Sequence, residues 1–319
     1  MDESILATAV GSSAAVFHAL AALVPEEMPP LGTTWPFGVF FTLIGLCVGS
    51  FLNVCIHRLP AGKGLAWPGS HCPVCLAPIA WYDNIPVLSY FVLRGRCRRC
   101  GTRFSIRYML VEAATGLLFL GYWLAYFHSG VREGADHLPV YLVHMVLASA
   151  LLVSGVIDYE RKEIYISVTN TALVVGVVAS LIWPEVQRVG TFNHTLPTWT
   201  GWARADAVLP ALLGAAVGAG IIYVTRVLGT LAFRKEAMGI GDVYLMAAVG
   251  ACLGWEAAVL VFFAAPFLGL VYGVWHLARK RESEVPYGPF LGMATGIVML
   301  VQDEVIAYFR PGIEGILMG

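Results

Sequence analysis

The sequence predicts an all-α polytopic membrane protein with about eight transmembrane helices and one small hydrophilic lobe. Three observations carry this. Of 319 residues, 58% are hydrophobic and 13% are charged, with a mean hydropathy of +0.73. Soluble chains carry about 25% charged residues, so much of this surface cannot face water. Ordinary soluble enzymes, disordered chains and disulfide-stapled secreted domains are excluded on that ground. Apolar stretches near the length needed to cross a hydrocarbon core, about 20 residues, recur along the chain. The basic residues gather in alternate loops, which fixes an orientation.

The elements follow in order. Residues 1–35 form an N-terminal segment in which 5–24 is a candidate ninth helix. Its start, Met1-Asp2-Glu3-Ser4, is acidic, unlike the basic start of a signal peptide. The first span is 36–57, followed by a hydrophilic lobe over 58–106. A transmembrane core over 107–319 holds spans at 107–128, 138–157, 164–183, 207–231, 243–253, 257–278 and 287–308. Only Gly254-Trp255-Glu256 separates the short sixth span from the seventh, which predicts a tight helical hairpin. Of 20 Lys and Arg, eight run from Arg58 to Arg107, where Asp83 is the only acid. Arg161-Lys162, Arg234-Lys235 and Arg279-Lys280-Arg281 follow the third, fifth and seventh spans, while the opposite loops hold few (Arg132, Arg188, Arg204). The positive-inside rule puts the lobe in the cytosol.

GxxxG spacing recurs at Gly45/Gly49, Gly214/Gly218, Gly250/Gly254, Gly269/Gly273 and Gly292/Gly296. Small residues one turn apart let helices approach closely in lipid, and packing within the monomer is favoured over a dimer interface.

Seven cysteines are present. Cys47, Cys55 and Cys252 sit in apolar spans, where a small buried hydrophobe is the default. Cys72, Cys75, Cys97 and Cys100 form C-x2-C-x21-C-x2-C, one residue longer than the usual zinc-ribbon gap. Two such turns can present four thiolates to one tetrahedral ion, with Arg96, Arg98 and Arg99 offsetting the negative charge. Two redox pairs of a membrane thiol oxidoreductase are the rival reading, disfavoured on the cytosolic side, where stable disulfides are rare. A closed zinc site would staple the lobe and would not catalyse. His71 reads as an ordinary loop histidine.

Charged residues in or at the ends of spans are costly and hence functional candidates. Asp158 ends the third span in Gly155-Val-Ile-Asp158, and Asp242 opens the sixth in Gly239-Ile-Gly-Asp242. Both fall on the cytosolic side. Two converging carboxylates are the minimal apparatus for aspartic proteolysis, because like-charge repulsion lets the pair hold one proton between them. Gly239 and Gly241 would let the chain bend and approach closely before the second Asp. The bland alternatives are an N-cap for Asp242 and a solvated loop residue for Asp158, as Glu160 and Glu163 read. Glu112, inside the second span, reads as a partner for an Arg or a backbone group. Two carboxylates could equally bind the coupling ion of a transporter, and a non-enzymatic zinc-ribbon scaffold is a further alternative.

These residues also fall into a familiar pattern. The chain resembles the bacterial type IV prepilin peptidases, leader peptidase and N-methyltransferase enzymes of the GxGD class of membrane aspartic proteases, over nearly its whole length from about residue 36. The resemblance rests on Gly49-Ser-Phe-Leu-Asn-Val-Cys-Ile-His-Arg-Leu-Pro60, the four-cysteine loop with Trp81-Tyr-Asp-Asn-Ile-Pro86 and Leu93-Arg-Gly-Arg-Cys97, Arg107-Tyr-Met-Leu-Val-Glu112, Gly239-Ile-Gly-Asp242 and Pro286-Tyr-Gly-Pro-Phe-Leu291. It implies Asp158 and Asp242 as the catalytic pair. It also implies an enzyme of the bacterial inner membrane that cuts the short basic leader from type IV prepilins or type II secretion pseudopilins after a Gly. The new N-terminal amine, usually of Phe, would then be methylated from S-adenosylmethionine. Precursor proteins and membrane lipid are the expected partners, and nucleic acid is not. The chain departs from the family where Ile164 is followed by Tyr165-Ile166 instead of Pro-Asp, and where Tyr244 stands in place of the common Lys. The methyl-donor site is not legible: there is no strand with a glycine-rich turn. Only the lobe offers polar surface for a water-soluble cofactor, and Ser50, Asn53 and His57 share the helical face that points to it, although bonding between helices would also explain each. Pro286 and Pro289 are expected to interrupt the last helix and leave backbone groups to pair with an extended substrate.

Overall fold

The computed structural model describes residues 31–128, 137–187, 203–236, 238–278 and 286–318; the candidate helix at 5–24 lies outside them. All the long elements described are helices. They are α1 (Leu31–Arg58), a 3-10 turn (Trp81–Asn84), α2 (Leu88–Val92), α3 (Ile106–Phe127), α4 (His137–Arg161), α5 (Ile166–Ile182), a 3-10 turn (Pro184–Gln187), α6 (Ala203–Phe233), α7 (Ile240–Leu253), α8 (Trp255–Ala278) and α9 (Gly288–Met318). Six of them are long and apolar enough to cross a membrane, and α5 and α7 are shorter apolar helices. All eight expected spans are therefore helices, with α1 starting earlier than expected and α9 running on to Met318.

The shortest span lies at the centre. α7 packs against α4, α5, α6, α8 and α9. Nearly every side chain from Gly241 to Leu253 is buried, as expected of a helix apolar all round. Its contact with α6 is main chain against main chain. A Cβ on Gly250 would lie 1.9 Å from the Gly214 carbonyl oxygen, and one on Gly218 would lie 2.2 Å from that of Met246. Gly45 and Gly49 do the same for α1 on α3, where added Cβ atoms would meet Phe119 at 2.8 Å and the Glu112 backbone at 2.7 Å. These GxxxG pairs serve packing inside the monomer, whereas Gly273 has nothing near it.

Several polar groups within the bundle find partners on neighbouring helices, although others, among them both Glu256 carboxylate oxygens, are buried without one. The Tyr122 hydroxyl donates to the Gly296 carbonyl at 2.7 Å, and that of Tyr141 to the Phe119 carbonyl at 3.0 Å. At the end away from the lobe, Gln187 donates to Ser180 and to the Ala251 carbonyl, each at 2.9 Å. At the lobe end, Arg107 opening α3 pairs with Glu160 in the last turn of α4. Arg226 of α6 reaches the Met238 carbonyl before α7 at 2.9 Å. Pro286 and Pro289 do not interrupt the last helix: one precedes α9 and the other lies in its first turn, where a missing N–H costs nothing.

Gly250→Val is expected to lose about 3 kcal/mol or more, since the clash is with main chain that cannot step aside. Gly273→Ala should leave stability nearly unchanged. Melting temperatures of the detergent-purified variants check both.

Candidate active site and cysteine cluster

α4, α7 and the start of α9 bring three groups together at the lobe end. Asp158 lies in the last turn of α4 and is 8% exposed. A carboxylate there opposes the helix dipole, so helix formation does not account for it. The compensation comes from another helix: the Gly288 N–H, first in α9, donates to Asp158 Oδ2 at 2.9 Å. That amide is one of the donors a helix start leaves without an internal partner. A Cβ on Gly288 would meet the same oxygen at 2.8 Å, so any side chain there would push the Asp158 carboxylate aside.

Asp242 is the third residue of α7, whose cap is Gly239, so the N-cap reading does not hold. One oxygen turns back toward the Gly239 amide, as in a capping box. The other, Oδ1, is buried without a partner, and the residue is 6% exposed. Asp242 lies within electrostatic reach of Asp158 and of Tyr287. Gly241 is a close-approach position, since a Cβ there would meet Ile164 at 2.5 Å. Gly239 has ordinary extended dihedrals, so no glycine-specific bend is needed. Glu160 is tied to Arg107, and Glu163 accepts from the Tyr165 hydroxyl at 3.1 Å. Neither is bonded into the Asp pair. The Tyr244 side chain is 37% exposed.

The lobe is built on two matching knuckles. In the first, the Cys72 N–H donates to the Ala77 carbonyl and the Leu76 N–H to that of Cys72. In the second, Cys97 and Gly101 repeat the pattern with Thr102 and Cys97. Leu76 and Gly101 hold the equivalent left-handed position, at φ 55° and 71°. The four Sγ atoms lie within 4.8 Å of one another, with Cys72–Cys100 at 3.7 Å and Cys75–Cys97 at 4.0 Å. Tetrahedral zinc with bonds of about 2.3 Å sets its sulfurs about 3.8 Å apart, so the four thiols fit one ion. They form one cluster rather than two separate dithiols. The backbone amide of Cys75 pulls the Cys72 thiol down to about 6. At Cys100 the Thr102 amide acts in the same direction, but desolvation and the neighbouring thiols outweigh it and push that thiol up to about 11. Of the arginines expected to offset the thiolates, Arg98 is committed to Asp83, donating to both carboxylate oxygens at 2.6 and 2.7 Å. This pair holds the Asp83 carboxyl below its usual range.

Residues 43–126 match the bacterial peptidase A24 N-terminal domain, and residues 145–274 match the type IV leader peptidase family. The chain belongs to the type IV leader peptidase family. A prepilin leader peptidase/N-methyltransferase of Klebsiella pneumoniae is 38% identical over 74% of this chain and 92% of its own length. One of Myxococcus xanthus is 37% identical over 77% of this chain, which spans 65% of that relative's length. A type 4 prepilin-like proteins leader peptide-processing enzyme of Escherichia coli O78:H11 is 32% identical over 84% and 92%. No solved structure matches.

This family member also holds a cavity of about 690 Å³ between the lobe, the end of α1 and the start of α3. Ser50, Asn53 and His57 all line it. Asn53 also makes the bond between helices that was its alternative explanation, donating to the Tyr108 carbonyl at 2.8 Å. Glu112 lines the cavity too, and its Oε2 accepts from the Val87 N–H at 2.8 Å. Its expected backbone partner is therefore found. The residues that sequence reasoning missed, Gly288 and Val87, act through main-chain amides that carry no side-chain signal.

Purified protein is expected to carry about one zinc per chain by elemental analysis, and Cys72→Ser or Cys97→Ser should lower that and loosen the lobe to protease. Metal binding requires all four thiols to shed their protons. Zinc should therefore be retained at neutral pH and released to chelator progressively faster as the pH falls.

Proposed function

We propose that this chain is a membrane aspartic endopeptidase that removes the short basic leader from type IV prepilins or type II secretion pseudopilins after a Gly. We infer that it then methylates the new N-terminal residue, usually Phe. One observation carries the peptidase reading: two buried carboxylates from separate helices lie within electrostatic reach of each other, one anchored by a helix-start amide and the other with an unpartnered oxygen. A transporter's ion pair would leave the cysteine lobe and the family match without a role. The concentration of basic residues in the lobe supports a cytosolic position for it in the bacterial inner membrane. In this arrangement residues 58–106 form the zinc lobe and 107–319 the peptidase core. Cys72, Cys75, Cys97 and Cys100 would hold a zinc that closes the lobe and takes no part in hydrolysis.

The pair divides the chemistry as aspartic proteases do. The ionised carboxylate takes a proton from water, whose oxygen bonds to the scissile carbonyl carbon. The protonated carboxyl gives its proton to the carbonyl oxygen. Collapse of the tetrahedral species breaks the C–N bond, and the leaving nitrogen takes up a proton as the new amine. The Gly288 amide fixes the orientation of Asp158 throughout. A bound sulfonium donor would supply an electrophilic methyl group to the freed amine in its uncharged form. Hydrolysis needs the Asp pair and methyl transfer does not.

Asp158→Asn and Asp242→Asn should each lower leader cleavage at least about 10³-fold, since an amide neither takes nor gives the proton. Intact mass of a prepilin before and after incubation measures this, and near wild-type turnover in either folded variant would refute the dyad. Asp242→Asn should still methylate a pre-cleaved pilin, adding about 14 Da. Gly288→Ala, which pushes a methyl group against Asp158 Oδ2, should lower kcat about 10-fold or more with little change in KM.

A further inference from the structure

Neither Asp158 nor Asp242 lines the cavity beneath the lobe, yet its wall includes a residue with a buried acceptor that the protein leaves unsatisfied. We propose that this cavity is the binding site for the methyl donor, S-adenosylmethionine, with Asn53, Glu112 and Arg96 as its recognition groups. The proposal rests on the methyltransferase reading above.

Size comes first. A volume of about 690 Å³ falls within the range of sites that enclose a small organic cofactor, about 300–1,000 Å³. The second point is an orphaned acceptor. Asn53 is 5% exposed and lines the cavity. Its Nδ2 must face the Tyr108 carbonyl, which can only accept, so the opposite atom is fixed as oxygen. That oxygen, Oδ1, is buried and has no hydrogen-bond partner. A ligand amine or hydroxyl that reaches it would supply the missing donor. The adenine amine, the ribose hydroxyls and the methionyl ammonium are all such donors.

Charge narrows the choice further. Glu112 is half-buried at the membrane edge, and no ion pair joins it to a Lys, Arg or His among the described residues. Its hydrogen bonds come from neutral donors, the Val87 N–H and the Ser50 hydroxyl. A carboxylate in such a place calls for a cation, and the donor brings a sulfonium and an ammonium. Across the lobe, the one acid, Asp83, is taken by Arg98. Arg96, like Lys63 and Arg103, lines the same cavity and can face the donor's carboxylate. Tyr90 and Tyr108 line it as well, offering aromatic faces to a purine.

The wall is also held rigid. Val87 lies at φ 62° and ψ −50°, a region that a β-branched residue occupies only under constraint. The Leu88 N–H closes on the Pro86 carbonyl at 2.6 Å around it, while Glu112 holds the Val87 amide. Thus Glu112 both fixes the lobe to α3 and faces the cavity. Finally, the Arg107–Glu160 pair ties the start of α3 to the helix end that bears Asp158. The cavity and the Asp pair therefore share one end of the bundle, where a freshly cut amine emerges.

The test is calorimetric titration of the zinc-loaded full chain in lipid nanodiscs with S-adenosylmethionine and with S-adenosylhomocysteine, which lacks the sulfonium charge. Asn53→Ala should weaken both about tenfold. Glu112→Gln should abolish the preference for the sulfonium ligand. Variants are compared only at wild-type zinc content and melting temperature. If neither folds, photolabelling of the wild-type protein with an azido-adenosyl analogue decides, with labels expected within 50–57 or 83–112. Binding by wild type with labels elsewhere, or with both folded variants binding undiminished, overturns the pocket and leaves the methyltransferase reading standing. No binding of either ligand by wild type overturns that reading and this site together.

Discussion

Two carboxylates can face each other inside a membrane protein only if the helices bearing them are held in fixed register at short range. Here that constraint falls on α7. It is too short to take its place by spanning the bilayer alone, and it is held by neighbours on every side. Its contact with α6 is carbonyl against α-carbon at Gly214, Gly218 and Gly250. Side chains there would part the helices and withdraw Asp242 from Asp158. The glycines that look like a lipid-packing motif in the sequence are thus part of the site's construction. The same logic recurs at Gly241, where Ile164 leaves no space for a side chain beside the second Asp.

The same constraint explains which parts of the molecule can be read from residue order. Helix positions were legible because hydropathy sets them, and the eight expected spans match the helices to within a few residues at most ends. The four-cysteine lobe was legible because ligand spacing is local. The Asp pair was visible as two costly charges, but not its support. Gly288 acts through a main-chain amide that becomes available only because α9 begins there, and nothing in Pro286-Tyr-Gly-Pro says which side chain it meets. Pro289 misleads for a related reason: proline breaks a helix interior but suits a first turn, and the sequence leaves the register open by a few residues. Asp242 as an N-cap failed by the same margin.

Glu112 shows how one intramembrane acid can be read correctly and still incompletely. A backbone partner was expected, and Val87 supplies it. What could not be foreseen is that the bond clamps a left-handed valine in a loop about 25 residues away, making the carboxylate part of a cavity wall. That cavity is assembled from the end of α1, the start of α3 and both flanks of the cysteine lobe. No single segment carries its signature, so Ser50, Asn53 and His57 could be placed on one helical face without showing what they face.

The architecture separates two chemistries with opposite needs. Peptide hydrolysis by paired acids needs a partly dry site in which one proton is shared between two like charges. Methyl transfer needs an uncharged amine and room for a bulky, water-soluble donor, conditions met by polar surface rather than by the bundle interior. In the proposed reading the bundle would serve the first with glycine-packed helices. The lobe would serve the second as a roof over the ends of α1 and α3. The Arg107–Glu160 pair joins the start of α3 to the last turn of α4, the helix that bears Asp158, at the lobe end of the bundle. A precursor held there would meet both sites without leaving the membrane, because its apolar helix stays in lipid while only its leading residues move.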